Sequence, residues 1–158
     1  MQDKNKLPLR IGVGIILLND KNNVFVGKRI DNPKDFWQMP QGGLDKNENL
    51  FEAAKRELEE ETSIKSIKLI KKLDSWLEYE LPKNLLGKIW AGKYRGQKQK
   101  WFIMRFLGND NEINIRTKNP EFLDWKWIKI SILSEIAVNF KVKVYEKLKE
   151  ELKFLYLV

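Results

Sequence analysis

Glu57, Glu60 and Glu61 lie within the stretch KRELEEETSI, at positions i, i+3 and i+4. On a helix that spacing brings three carboxylates to one face, whereas Glu59 points away from them. Like charges so placed repel by a few tenths of a kcal/mol per pair, roughly, unless a cation sits among them. The chain around them is basic, with 30 Lys and Arg against 22 Asp and Glu and a formal charge of +8. It contains no His and no Cys. Thiol nucleophiles, disulfides, Fe–S clusters, thiolate zinc sites, imidazole bases and Ser-His triads are therefore excluded. Acid–base and metal chemistry must rest mainly on carboxylates, which favour hard cations such as Mg²⁺ or Mn²⁺. An E-x-x-E-E face taken alone is more often a solvated helix surface than a metal site.

Its surroundings shift that balance. Gly42 and Gly43 precede Glu48, and Arg56 adjoins Glu57, so the chain reads Gly42-x5-Glu48-x7-Arg56-Glu57-Leu58-x-Glu60-Glu61-x-Ser63-Ile64. This series resembles the Nudix box, G-x5-E-x7-R-E-U-x-E-E-x-G-U, where U is aliphatic. The resemblance implies hydrolysis of a nucleoside diphosphate linked to another group, with Mg²⁺ as cofactor and Mn²⁺ able to substitute. It implies that Glu57, Glu60 and Glu61 hold the metal, and that Glu48 and Arg56 pair to brace the loop against the helix. Gly42 and Gly43 let the loop turn tightly and bring its backbone to the metal or phosphates. The box's last glycine is Ser63 here. A left-handed helix cap at that point costs a serine roughly 1 kcal/mol and touches no ligand.

Other segments point to one branch of that family. VGIILLN, VFVGKRID, WQMPQGG, GQKQKWF, PEFLDWKWI and VNFK occur in order over residues 10–150. They resemble the bacterial RNA pyrophosphohydrolases and their dinucleoside polyphosphate-hydrolysing, invasion-associated relatives. On that resemblance Glu121 is a fourth metal-associated carboxylate, and Arg10 and Arg29 face the 5′-terminal nucleotide and its phosphates. Gln41, Gln97, Lys98, Gln99 and Lys141 are further substrate contacts, and Val138 with Phe140 forms a base-binding cleft. Asn139 stands where those enzymes commonly have Ser. The expected partners are 5′-triphosphorylated RNA or dinucleoside polyphosphates, the second being the same chemistry on a rival substrate. A catalytically weak RNA- or protein-binding scaffold is the reading from another class. DNA and membranes are not expected partners, and a monomer is expected.

These residues need a rigid frame. With 158 residues and 42% hydrophobic content, the chain suffices for a single domain over 1–158 with a sizeable core. RIGVGIILL (10–18) and VFVGKR (24–29) read as a hairpin, and 48–62 as a helix with Leu50, Ala53, Ala54, Leu58 and Glu61 on one stripe. NPKDFWQMPQGG reads as a loop with a short strand around Trp37. SIKLIKKL, SWLEYEL, KWFIMRFL, EINIR and EFLDWKWIKI read as strands, residues 82–99 as a long basic loop, and the stretch from 140 onward as an amphipathic helix. Trp37, Trp101, Trp125 and Trp127 are expected in the core. The expected class is α/β, a Nudix fold arranged as an α/β/α sandwich with a central mixed sheet. The apolar run at the start is too short to span a bilayer and lacks a small-residue cleavage site, so a cytoplasmic protein is expected.

Overall fold

In the computed structural model, which describes residues 7–31 and 34–156, the elements run β1 (Leu9–Leu18), β2 (Val24–Arg29), β3 (Gln41–Gly43), α1 (Leu50–Thr62), β4 (Ile67–Lys72), β5 (Leu77–Glu80), β6 (Gly96–Phe106), β7 (Phe122–Ile128) and α2 (Val142–Glu151). The strands form one mixed sheet in the order β4-β6-β1-β2-β7, with β3 paired to β1 and β5 to β6. Only β1 and β6 run parallel, in register from Leu9↔Gly96 to Leu18↔Arg105. They occupy the middle of the sheet, where both faces are covered, and β1 is accordingly an unbroken apolar run from Val13 to Leu18.

Alternation along the strands sends side chains to two cores. Val13, Ile15, Leu17, Phe102 and Met104 pack against Ala53, Ala54 and Leu58 of α1. Ile16, Leu18, Trp101 and Ile103 pack against Val144, Tyr145 and Leu148 of α2. The sheet thus lies between the two helices, the expected α/β/α layering. Among the described residues no helix is long and apolar enough to cross a membrane.

The sheet forks along one edge of β1. Its beginning pairs with β3, from Gly12↔Gly43 to Gly14↔Gln41, and its end with β2 at Leu18↔Val24. Between the two partners the chain from Trp37 to Pro40 crosses with a single bridge, Gln38 to Gly27. That bridge is all that forms of the short strand expected around Trp37; Asn32 and Pro33 of the same segment lie outside the described residues. The backbone N–H of Met39 donates to the Tyr145 hydroxyl of α2 at 2.8 Å, tying the crossing to the second helix.

Several expectations need correction. α1 begins at Leu50, because the Asn49 side chain caps it by accepting from the Glu52 N–H at 2.8 Å. Residues 96–99 are the start of β6, since pairing with β1 satisfies their backbone. EINIR forms no strand: Ile113 and Ile115 pack against the α1-side core, and the Asn114 N–H donates to the Thr62 carbonyl at 2.9 Å. Phe140 and Lys141 precede α2 in a 3-10 turn over Asn139–Lys141. Trp37 and Trp101 are buried, but Trp125 and Trp127, on the edge strand β7, are half-exposed, packing around Phe25 and Phe106.

Candidate active site

Helix α1 carries the three box carboxylates, yet its packing separates their environments. Glu61 continues the buried stripe of Ala53, Ala54 and Leu58 and is 1% exposed. Glu57 is nearly covered, its side chain 12% exposed, while that of Glu60 is 57% exposed. Arg56 organises the approach. It donates to both oxygens of Glu48 at 2.8 and 2.9 Å and to the Gly43 carbonyl at 2.9 Å. The same guanidinium reaches Glu57 at 2.9 Å and Glu60 at 3.1 Å. One planar cation therefore clamps the β3 turn to the helix. Glu48 can serve because it precedes the helix, and Arg56 holds its carboxyl below the usual range. The turn comes so close that a Cβ on Gly42 would collide with the Glu57 carboxyl group.

Neither oxygen of Glu61 has a hydrogen-bond partner. The Gln41 backbone amide leans toward it without well-formed hydrogen-bond geometry, while burial and the nearby Glu121 and Glu57 carboxylates push its pKa well up. Burial likewise raises Glu57 to about 7, against the pull of Arg56. A buried carboxylate with two bare oxygens is costly unless protonated or matched by a cation. Among the described residues no three acidic groups already converge on a metal position. Arg56 draws Glu57 and Glu60 to itself instead. The donor set nevertheless fits a hard divalent cation, with Glu61 as its unsatisfied member and Glu57 and Glu121 as its neighbours.

Across the fork, the α2 side of the sheet holds a second polar group. Lys141 is 6% exposed, with its ammonium 3.2 Å from the Gln38 amide oxygen. It lies 5.5 Å from the Tyr79 ring centre and 5.9 Å from that of Phe140. Burial and the Arg29 charge lower its pKa to about 7, while Glu61 and Asp31 oppose them. Gln97 and Gln99 are buried on this face, and Gln99 donates to the Gln41 side-chain oxygen at 3.0 Å. Lys98 points from the opposite face, its ammonium 5.4 Å from the Trp76 ring centre, so it does not join this group. Arg10 lies against Gly43 with its guanidinium 5.3 Å from the Trp90 ring centre. Arg29 is paired with Asp31 through two bonds of 2.7 and 2.6 Å, with the charges of Glu121 and Glu61 nearby. Val138 and Phe140 are half-buried at the start of α2, Phe140 packing on Tyr79 at 5.6 Å.

Sequence reading missed Gln38, Tyr79 and Trp90. Tyr79 looks like an ordinary inward residue of β5, where buried Leu77 and Tyr79 alternate with exposed Glu78 and Glu80. Gln38 meets Lys141 across 103 positions, a contact no local pattern reveals.

The sequence profile for the NUDIX domain matches residues 8–148. An RNA pyrophosphohydrolase of Pelagibacter ubique is 64% identical over 151 residues, covering 96% of each chain. One from Cereibacter sphaeroides is 48% identical over 147 residues, covering 92% of this chain and 91% of its own. Among solved structures, the Escherichia coli dihydroneopterin triphosphate pyrophosphohydrolase superposes with a TM-score of 0.68 at 22% identity, covering 92% of this chain and 99% of its own. A Caenorhabditis elegans Ap4A hydrolase superposes with a TM-score of 0.65 at 20% identity, covering 91% and 98%. At such identities these two likenesses concern the fold alone.

Proposed function

The chain belongs to the Nudix family, and we propose that it is a hydrolase removing pyrophosphate, or successive phosphates, from the 5′-triphosphate end of RNA. Water attacks a phosphorus, a phosphoanhydride bond breaks, and a 5′-monophosphorylated RNA remains, committing the transcript to decay. The observation that carries the chemistry is Glu61, whose two buried oxygens lack partners beside Glu57 and Glu121. The substrate class rests on the near full-length relatives named for that activity.

Glu57, Glu60, Glu61 and Glu121 are the metal-binding and catalytic carboxylates, with the Gly42 backbone at the same edge. The cation is Mg²⁺, with Mn²⁺ able to substitute; when bound it supplies charge neutralisation and Lewis acidity at the polyphosphate. Arg56 and Glu48 hold the turn at Gly42 and Gly43 against α1. Arg10, Arg29, Gln41, Gln97, Gln99 and Lys141 face the phosphates and first nucleotide, Lys98 adds positive charge from the opposite face of the sheet, and Val138 with Phe140 receives a base. The +8 charge suits a polyanionic chain better than a lone nucleotide. The same reading makes the protein a cytoplasmic monomer of one domain, acting on RNA rather than DNA.

The test is a competition with Mg²⁺ between a short 5′-triphosphorylated RNA and diadenosine pentaphosphate at equal concentration, with Glu61→Gln as control. Faster formation of 5′-monophosphorylated RNA, lost in the variant, supports the proposal. Preference for the dinucleotide transfers the same chemistry to that substrate. Turnover of neither above the control leaves a non-catalytic scaffold and overturns the mechanism.

A further inference from the structure

Four polar side chains meet on the α2 side of the sheet, joined in two hydrogen-bonded pairs. The Gln99 amide NH₂ donates to the Gln41 side-chain oxygen at 3.0 Å. The Gln41 amide lies close enough to the Tyr79 hydroxyl to favour its ionised form slightly, against the larger effect of burial. That hydroxyl donates to the Gln97 side-chain oxygen at 2.9 Å. Gln97 is fully buried, Gln99 is 1% exposed and Tyr79 6%. Each pair leaves one buried polar atom without a partner, the donor Gln97 Nε2 and the acceptor Gln99 Oε1.

Gln97 Nε2 lies over Gly12, beside the Gly42 carbonyl. A Cβ on Gly12 would collide with both atoms. The free donor therefore sits against the turn that Arg56 holds to Glu57. A glutamine amide has nearly the same shape either way round, so packing alone does not decide which end faces outward. The phenol decides it. Burial pushes Tyr79 up to about 12, so its proton is present to be donated at any working pH. Turning the amide round would set its oxygen against the Gly42 carbonyl oxygen and leave the phenol proton without an acceptor. Phosphate oxygens only accept hydrogen bonds, so the NH₂ end is the one a polyphosphate needs.

We infer that Tyr79 is a positioning residue, whose hydroxyl holds the Gln97 amide with its NH₂ directed at a phosphate oxygen of the substrate beside the Gly42 turn. The inference rests on the proposed reading that a 5′-polyphosphate occupies this site. Tyr79 itself touches no substrate and acts only through Gln97.

The experiment is a double-mutant cycle on the full chain with Mg²⁺, reading kcat and KM for 5′-triphosphorylated RNA together with melting temperature. Tyr79→Phe is expected to lower kcat/KM by about tenfold or more, chiefly through KM, with the melting temperature nearly unchanged. In a Gln97→Ala background the same change is expected to cost less than about twofold, because the group it orients is gone. Gln97→Lys supplies a donor that needs no orientation, and Tyr79→Phe is expected to be equally mild there. Equal losses in all three backgrounds, no loss in the first, or a loss that follows a fall in melting temperature overturns the positioning role. If the wild-type chain hydrolyses only diadenosine pentaphosphate, the cycle is read on that substrate with the same expectations. Inactivity of the wild type on both substrates overturns the proposed function and this role with it, whereas equal losses in an active enzyme overturn this role alone.

Discussion

Glu57→Gln, studied with a chelator present, isolates the electrostatic cost of a carboxylate held ready for a cation. Burial raises Glu57 from 4.5 to about 7, even after the opposing pull of Arg56, and its side chain is 12% exposed. An acid whose folded-state pKa is raised holds its proton more tightly folded than unfolded. Its contribution is fully present below the unfolded value and is lost as pH rises through the folded one. At 1.36 kcal/mol per unit, a rise of about 2.5 units corresponds to about 3.4 kcal/mol, of which about 2.5 kcal/mol falls between pH 5 and 8. Glutamine does not titrate, so the variant lacks this slope. Urea unfolding of both proteins at intervals from pH 5 to 8 gives the difference in stability directly. The variant is expected to gain on the wild type by about 2–3 kcal/mol across that range. Adding Mg²⁺ at pH 8 should close the gap from the wild-type side, because only the wild type keeps the carboxylate. A difference that stays flat to within about 0.5 kcal/mol would show that Glu57 is not desolvated and refute the reasoning.

Three further outcomes follow from the same geometry. Gly42→Ala places a methyl group in the Glu57 carboxyl position and should reduce hydrolysis by at least about tenfold, measured as release of 5′-monophosphorylated product. Arg56→Lys loses the paired bonds to Glu48 and the reach to Gly43, and should lower stability by about 1–3 kcal/mol in urea unfolding. Ser63→Gly removes a side chain from a left-handed position at φ 67° but also its 2.8 Å bond to the Asn114 carbonyl. Those effects oppose each other, so stability should change by no more than about 1 kcal/mol, with kcat unchanged.

Ser63 shows how closely local sequence and local structure agree in this chain. The box's final glycine position implies a left-handed cap, and Ser63 adopts one in its place, its N–H donating to the Glu59 carbonyl at 2.8 Å. The stripe of Leu50, Ala53, Ala54 and Leu58 likewise sets how α1 rolls onto the sheet, and it includes Glu61. EINIR fails as a strand for a complementary reason. Its alternation is genuine, with Ile113 and Ile115 inward, but the Asn114 amide finds its acceptor at the end of α1 instead of along a neighbouring strand. A pattern of two specifies which side chains turn inward and leaves open where the backbone hydrogen bonds go.

By itself the sequence determined the chemistry available and the face that bears it: carboxylates without imidazole or thiol, three of them at i, i+3 and i+4 on one helix, and a glycine turn beside them. Helical periodicity and side-chain inventory are local properties, so they are legible along the chain. Tertiary structure decided which of those groups are costly. It buried Glu61 with both oxygens bare, left Glu60 in water and turned Glu57 toward Arg56. It also brought Gln38 to Lys141, and Tyr79 to Gln97, across separate strands and turns. Desolvation and hydrogen-bond direction depend on every neighbour packed around an atom. Those neighbours come from segments far apart in the chain, and only the folded sheet brings them to one place.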